Sequence, residues 1–139
     1  MYLCDTFTGV VKAASQKDSS YRGGEHADTS RHVVEDLLYR RLHLTKVTIL
    51  PGVFPDDTGP AIAHERFRFC HIDVDVYRSA KDVTAWIWDK LVIGGIIVYD
   101  DYGLFECDGM RHCVDEQDAM PDRVVMHNLN GQALIIKIK

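Results

Sequence analysis

Two apolar segments that each end in aspartates constrain the fold of this 139-residue chain more than any other feature. Residues 67–74 (FRFCHIDV) have the composition of a buried strand, and residues 96–99 (IIVY) are apolar at every position. Between them, residues 77–91 carry apolar side chains at helical spacing, and Gly94-Gly95 is expected to end this helix. Continuous apolar strands separated by a helix indicate a parallel sheet covered on both faces, as in α/β proteins.

Four aspartates follow these strands, Asp73 and Asp75 after the first and Asp100 and Asp101 after the second. Parallel strands bring their carboxyl ends to one edge of the sheet, where open α/β sheets bind ligands. Carboxylates packed together repel one another, and a divalent cation with oxygen ligands, such as Mg²⁺, compensates for this. The other interpretation is that they are strand-end and capping residues, with Asp75 capping the helix that begins near Tyr77.

The remaining sequence extends this pattern over a single domain, residues 1–139. The further predicted elements are strands over residues 1–4 and 46–50, helices over 32–42 and 109–120, and a helical turn over 61–66. Residues 123–128 and 133–138 flank Asn130-Gly131, which predicts an antiparallel hairpin with a two-residue turn. The polar segment 6–30 is long for a connection, so we expect a mobile lid or a disordered stretch.

Composition narrows the class of protein. The chain carries 16 Lys and Arg against 21 Asp and Glu, so it lacks the excess positive charge of a nucleic-acid or anionic-membrane binder. No run approaches the roughly 20 apolar residues of a membrane span, and the N-terminus does not resemble a signal peptide, so we expect a cytoplasmic protein. The four cysteines have no CxxC spacing and are expected to be reduced thiols rather than zinc ligands.

Two further residues near the predicted strand ends give weaker indications of a functional role. Asp5 closes the first strand, where an acid in a nucleotide-binding α/β fold can accept hydrogen bonds from ribose hydroxyls. The alternative is an ordinary turn aspartate. His71 is interpreted as a core residue, or as one that contacts the metal ligands, rather than as a ligand itself.

The motifs YLCDTFTG, ILPGVF, HIDVDVYRSAKDV, LVIGGIIVYDDYG and GMRHCVDEQ, in this order, resemble the macrocin O-methyltransferase family over nearly the whole chain. Enzymes of that family use S-adenosylmethionine to methylate hydroxyls, notably on sugars of natural products. The resemblance implies a Rossmann-like methyltransferase sheet, mostly parallel, with a C-terminal antiparallel hairpin.

The resemblance also implies roles for individual residues. Asp75 would be the general base that takes the proton from the acceptor hydroxyl, consistent with a carboxylate next to a metal that orients the hydroxyl. The other implied contacts are Asp73, Asp100 and Asp101 with a Mg²⁺ ion, Asp5 with the cofactor ribose, and Gly52 and Phe54 near the adenine.

One unit of the family's pattern is missing from this sequence. No strand leading into a glycine-rich turn precedes Asp5, so the resemblance implies a sheet truncated at the N-terminus. The missing strand would lie between the first strand and the strand at Phe67. We expect the gap to be closed by direct pairing of the remaining strands, by a second copy of the chain or by a partner that completes the sheet.

The sequence therefore predicts an S-adenosylmethionine- and Mg²⁺-dependent O-methyltransferase that acts on a hydroxyl of a small molecule such as a sugar. Acceptor choice is expected to depend on segment 6–30 and on residues 105–111. The alternative is a non-catalytic, truncated methyltransferase fold that serves as a subunit or binding module. A metal-dependent phosphoester hydrolase is a third interpretation, since clustered aspartates also hold two-metal sites.

Overall fold

The computed structural model describes all 139 residues as an α/β structure with two separate sheets. In the first sheet, β1 (Tyr2–Asp5) and β2 (Thr48–Pro51) pair in parallel. The second sheet has the order β3-β4-β6-β5. Its strands are β3 (Phe67–Ile72), β4 (Leu91–Tyr99), β5 (Arg123–His127) and β6 (Ala133–Lys137). Strand β3 is parallel to β4, and β6 is antiparallel to both β4 and β5, so the sheet is mixed as predicted.

Helices α2 (Tyr77–Trp88) and α3 (Asp108–Asp118) pack on the second sheet and form the main core with it. Apolar residues at helical spacing along α2 face this core, as the sequence predicts. The residues of the core with the least exposure come from α2, α3, β4 and β6: Ala80, Met110, Val114, Ile97, Tyr99 and Ile135. This packing fixes the carboxyl ends of β3 and β4 relative to the two helices.

The helix predicted over residues 32–42 has a different form. It is α-helical only over α1 (Arg31–Glu35), and continues as a π-helical turn over Asp36–Arg41. Its apolar stripe is largely open to solvent: Leu38 is buried, but Val33 and Leu42 are 59% and 55% exposed. No helix of the chain is long and apolar enough to cross a membrane.

Direct pairing of the remaining strands, one of the ways in which we expected the sheet to close, is wrong. Strands β1 and β3 belong to different sheets, and each leaves one edge without a partner strand. Side chains connect the two sheets instead: the Tyr2 hydroxyl donates to Glu65 at 2.7 Å, and the Tyr2 ring lies edge-on to Phe67. Phe69 is 60% exposed, whereas the sequence indicated a buried strand, because it lies on the face of the sheet that α2 and α3 do not cover. Val124, in register with Phe69 across the sheet, is likewise 42% exposed.

The role predicted for Gly94-Gly95 is also wrong. Helix α2 ends earlier, at Trp88, and both glycines lie inside the long strand β4. The pairing of β3 with β4 changes register here, because Phe67 pairs with Leu91 whereas Phe69 pairs with Ile96. Gly94 has a φ of 77°, the left-handed backbone that glycine adopts at bulges.

The C-terminal hairpin forms as predicted, with a longer turn. The N–H of Asn128 donates to the carbonyl of Gln132 at 2.9 Å, which leaves three residues, 129–131, in the loop instead of two. Gly131, with a φ of 83°, supplies the left-handed residue typical of three-residue hairpin loops. Asn128 closes the loop, since its side-chain oxygen accepts from the N–H groups of Asn130 and Gln132.

Segment 6–30 has no helix or strand, yet its middle part packs into the domain. Val10 and Tyr21 are buried in the core, and Asp18 is 1% exposed. The segment therefore contributes to the core that surrounds the carboxyl ends of the strands, and its mobility stays a prediction.

Asp18 anchors this segment to both helices. Its Oδ2 accepts from the N–H of Ala14 at 2.8 Å, and its Oδ1 accepts from the N–H of Tyr77, the first residue of α2, at 2.8 Å. On α3, a Cβ at Gly109 would lie 1.8 Å from Asp18 Oδ1, so the contact requires glycine. Asp18 thus accepts from the first N–H of α2, whereas the alternative interpretation of the sequence gave the capping role to Asp75.

Replacing Asp18 by alanine is expected to lower the free energy of unfolding by about 2–4 kcal/mol, because the N–H groups of Ala14 and Tyr77 lose their acceptor and α2 loses its cap. Urea unfolding followed by circular dichroism measures this loss. Asp28→Ala, at an exposed position of the same segment, is the control and should change stability by less than about 0.5 kcal/mol. Equal stabilities of the two variants would contradict the anchoring role.

Candidate active site

The four aspartates that follow β3 and β4 lie together at one edge of the second sheet. Oxygens of Asp73, Asp100 and Asp101 lie within 4.8 Å of one another. Asp75 lies in an adjoining group, within the same distance of Asp101 and Cys107, so Asp101 belongs to both groups. The strand ends therefore bring together the residues that the sequence predicted for metal binding and for the general base.

Burial and mutual repulsion make this cluster unfavourable without a cation. Burial, and then the charges of Asp75, Asp73 and Asp100, raise the pKa of Asp101 to about 7. The pKa of Asp73 is also raised, first by burial and then by Asp100 and Asp75. No Lys or Arg forms an ion pair with these four residues. Asp101 Oδ2 is buried and has no hydrogen-bond partner, which suits a site that a cation completes.

Asp100 is oriented by two neighbours. His71 Nε2 lies 3.0 Å from Asp100 Oδ1, and the side-chain amide of Gln132 donates to the same oxygen. His71 is thus placed beside a candidate ligand, the arrangement in which an outer residue orients a metal-binding carboxylate. Gln132 comes from the hairpin loop, and the sequence did not single it out.

Asp75 has the left-handed backbone, with a φ of 61°, a conformation that costs energy in residues other than glycine and is frequent at functional sites. The Tyr21 hydroxyl donates to Asp75 Oδ1 at 3.0 Å, and Cys107 Sγ lies 3.8 Å from the same oxygen. Asp75 Oδ2 has no hydrogen-bond partner within the chain. Sequence reasoning missed Tyr21, which lies in a polar segment without any periodic signal.

The residues expected near the cofactor form a second group, at the carboxyl ends of β1 and β2. Asp5 is exposed, and its Oδ1 accepts from the N–H of Phe7 at 2.7 Å, the geometry of a turn aspartate. Gly52 donates its N–H to the carbonyl of Asp5 at 2.9 Å, so these two residues are neighbours. Phe54 packs edge-on against Trp86, with the ring centroids 4.8 Å apart. No hydrogen bond or ion pair joins this group to the four aspartates.

The four cysteines are free thiols, as the sequence predicts. Cys107 and Cys113 are buried, and the expectation against a zinc site stays a prediction.

Comparison with known proteins shows which proteins the chain resembles. The model of a family described as macrocin-O-methyltransferase (TylF) matches residues 1–126. The chain is 27% identical over 119 residues to the 8-demethyl-8-(2,3-dimethoxy-alpha-L-rhamnosyl)-tetracenomycin-C 4'-O-methyltransferase of Streptomyces olivaceus. This alignment covers 81% of this chain and 45% of that protein. The chain thus spans less than half the length of this relative.

Solved structures show the same fold. The O-methyltransferase NovP superimposes with a TM-score of 0.81 at 23% identity, over 99% of this chain and 60% of that one. An O-methyltransferase from Bacillus cereus, solved in complex with SAH, gives a TM-score of 0.62 at 16% identity, over 98% of this chain and 73% of that one. The architecture described above is therefore that of a Rossmann-like methyltransferase.

The raised pKa of Asp101 predicts a pH dependence of stability. Its folded-state pKa of about 7 exceeds the value of about 4 for an unfolded carboxyl, so folding favours the protonated form. Without divalent cations, the free energy of unfolding should therefore fall as pH rises from about 5 to about 8. Chemical denaturation across this range measures the fall.

Asp101→Asn should remove most of this fall, because the amide does not ionise. Addition of Mg²⁺ should restore stability at the high end of the range in the unmodified chain, since a bound cation favours the ionised form. The same pH dependence in Asp101→Asn and in the unmodified chain would show that Asp101 is not its source.

Proposed function

Since the chain belongs to the macrocin-O-methyltransferase family, we propose that it carries the metal- and acceptor-binding part of an S-adenosylmethionine-dependent O-methyltransferase. The observation that carries this proposal is the acidic cluster around Asp101, with its buried and unpartnered Oδ2. The acceptor is a hydroxyl of a small molecule such as a sugar, consistent with the rhamnosyl compound in the name of the Streptomyces olivaceus relative.

The donor set of the cluster fits Mg²⁺. Asp73, Asp100 and Asp101 offer only carboxylate oxygens, which are the ligands that Mg²⁺ prefers. Bound there, the metal would orient the acceptor hydroxyl and make it more acidic. His71 and Gln132 would hold Asp100 in the ligating orientation through their contacts with Oδ1.

Asp75 is the general base in this proposal. Its Oδ2 makes no hydrogen bond within the chain, and no Lys or Arg neutralises the side chain, so this oxygen can accept the hydroxyl proton. Its neighbour Asp101 would hold the metal on which the hydroxyl is oriented, so base and hydroxyl would lie next to each other. Asp75 would take the hydroxyl proton at Oδ2.

When bound, S-adenosylmethionine would supply the methyl group from its sulfonium. Asp5 would accept from the ribose hydroxyls at the end of β1. Gly52 lies beside it at the end of β2, and would lie close to the adenine. Phe54 would contribute to this side of the site, although its ring also packs on Trp86.

A partner completes the sheet in this proposal, either a second copy of the chain or a strand from elsewhere. The unpaired edges of β1 and β3 support it, because an unpaired strand edge presents N–H and C=O groups that can pair with another strand. The same edges favour the alternative function, a non-catalytic subunit or binding module. A cytoplasmic location stays a prediction from the sequence.

Calorimetric titration of S-adenosylmethionine into the purified chain, with and without Mg²⁺, tests the proposal and separates it from the alternative. We expect binding in the micromolar range and methyl transfer to sugar acceptors that stops when EDTA removes the metal. Absence of both binding and transfer would favour the non-catalytic subunit.

Replacing Asp75 by asparagine is expected to lower the rate of transfer about 100- to 10,000-fold, the contribution typical of a general base. Asparagine tolerates the left-handed backbone at this position, so the fold should be retained. Metal affinity, measured by calorimetry, should stay close to that of the unmodified chain. Unchanged turnover in this variant would remove Asp75 from the mechanism.

A further inference from the structure

We propose that Tyr21 is a positioning residue for Asp75. Because Tyr21 belongs to segment 6–30, this segment then helps to orient the general base and does not only lie over the site. This inference rests on the proposed function, because it assigns a task to a residue that holds the general base. It starts from one contact, the hydrogen bond that the Tyr21 hydroxyl donates to Asp75 Oδ1 at 3.0 Å.

The contact joins two parts of the chain that are 54 residues apart. Tyr21 is 7% exposed and belongs to the main core, which limits the freedom of its ring. The anchor residue Asp18, three positions earlier, is bonded to the first residue of α2 at 2.8 Å. Asp75 itself lies two residues before α2. Tyr21 and Asp75 are therefore both held close to the N-terminal end of α2, so the fold sets the distance between the phenol and the carboxylate.

The contact engages only one of the two oxygens of Asp75. Tyr21 donates to Oδ1, and Cys107 Sγ, which is 1% exposed, lies 3.8 Å from the same atom. The Tyr21 oxygen and Cys107 Sγ are 3.6 Å apart, so the three groups form a compact triangle. Fixing Oδ1 in this way sets the rotation of the carboxylate and leaves Oδ2 as the free acceptor.

A tyrosine is suited to orienting Asp75 because its hydroxyl donates a hydrogen bond without carrying a charge. An Arg or Lys in the same place would form an ion pair and make Asp75 a weaker base. Burial, together with Cys107 and Asp75, raises the pKa of Tyr21 above its usual value, so the hydroxyl keeps its proton. Burial likewise raises the pKa of the Cys107 thiol to about 11, so it too remains neutral near pH 7.

Tyr21→Phe removes the hydrogen bond and keeps the ring. We expect kcat to fall about 10- to 100-fold, since small displacements of a catalytic group have effects of this size. The KM values for S-adenosylmethionine and acceptor should change less than about twofold, because the role proposed for Tyr21 acts through Asp75 and not through binding of either molecule. In the Asp75→Asn background, Tyr21→Phe should cause no further loss, since residues that act through one another are not additive.

Tyr77→Phe is the matched control. It removes another hydrogen bond from a tyrosine to a carboxylate, here to Glu116 at 2.8 Å, that does not involve the four aspartates. Its kcat should equal that of the unmodified chain. The proposal is overturned if Tyr21→Phe retains full kcat, if it raises KM alone, or if its effect is undiminished in the Asp75→Asn background.

A spectroscopic measurement tests the contact without activity. In protein labelled with ¹³Cζ-tyrosine, Tyr21→Phe identifies the Tyr21 resonance, and Asp75→Asn should shift this resonance and leave that of Tyr39 unchanged. If no tyrosine resonance moves in Asp75→Asn, the proposal is overturned. This outcome needs no assignment from Tyr21→Phe, so it holds even if that variant does not fold. If the unmodified chain transfers no methyl group, the proposed function is contradicted. The NMR result alone then shows whether Tyr21 contacts Asp75.

Discussion

Repulsion among the carboxylates at the ends of β3 and β4 is the constraint on which the rest of the site depends. Four acids share this edge with no Lys or Arg to pair with them. Burial, and then the charges of the other three acids, raise the pKa of Asp101 to about 7. Such an arrangement lowers stability near neutral pH unless a cation is bound. The fold accepts this cost at its carboxyl edge, where α/β proteins place their ligands, and the surrounding contacts with His71 and Gln132 keep the oxygens oriented.

The long segment 6–30 and this acidic edge are parts of one structure. Asp18 caps α2 from within the segment, and Gly109 on α3 leaves room for its carboxylate. The same anchoring brings Tyr21 to Asp75. A segment without regular structure can therefore help to position the proposed base.

The sequence was sufficient to predict where the strand-end aspartates lie, because composition and spacing alone place Asp73 and Asp101 after apolar strands. Gly94 could not be assigned correctly, since a glycine pair has the same local signature at a helix end and at a bulge, and only the partner strand β3 distinguishes them. Tyr21 could not be predicted either: a polar loop gives no indication of which side chain turns inward when its partner is 54 residues away. Exposure of Phe69 depends on which face of the sheet the helices cover, and strand composition does not encode this.

Titration with Mn²⁺, followed by electron paramagnetic resonance, tests the central claim that the acidic cluster is a cation site. Mn²⁺ accepts the same oxygen ligands as Mg²⁺ and gives a signal that distinguishes free from bound ion. We predict one tight site per chain that Mg²⁺ displaces, and loss of that site when Asp73 and Asp101 are both replaced by asparagine. Equal Mn²⁺ binding by this double variant and the unmodified chain would contradict the account.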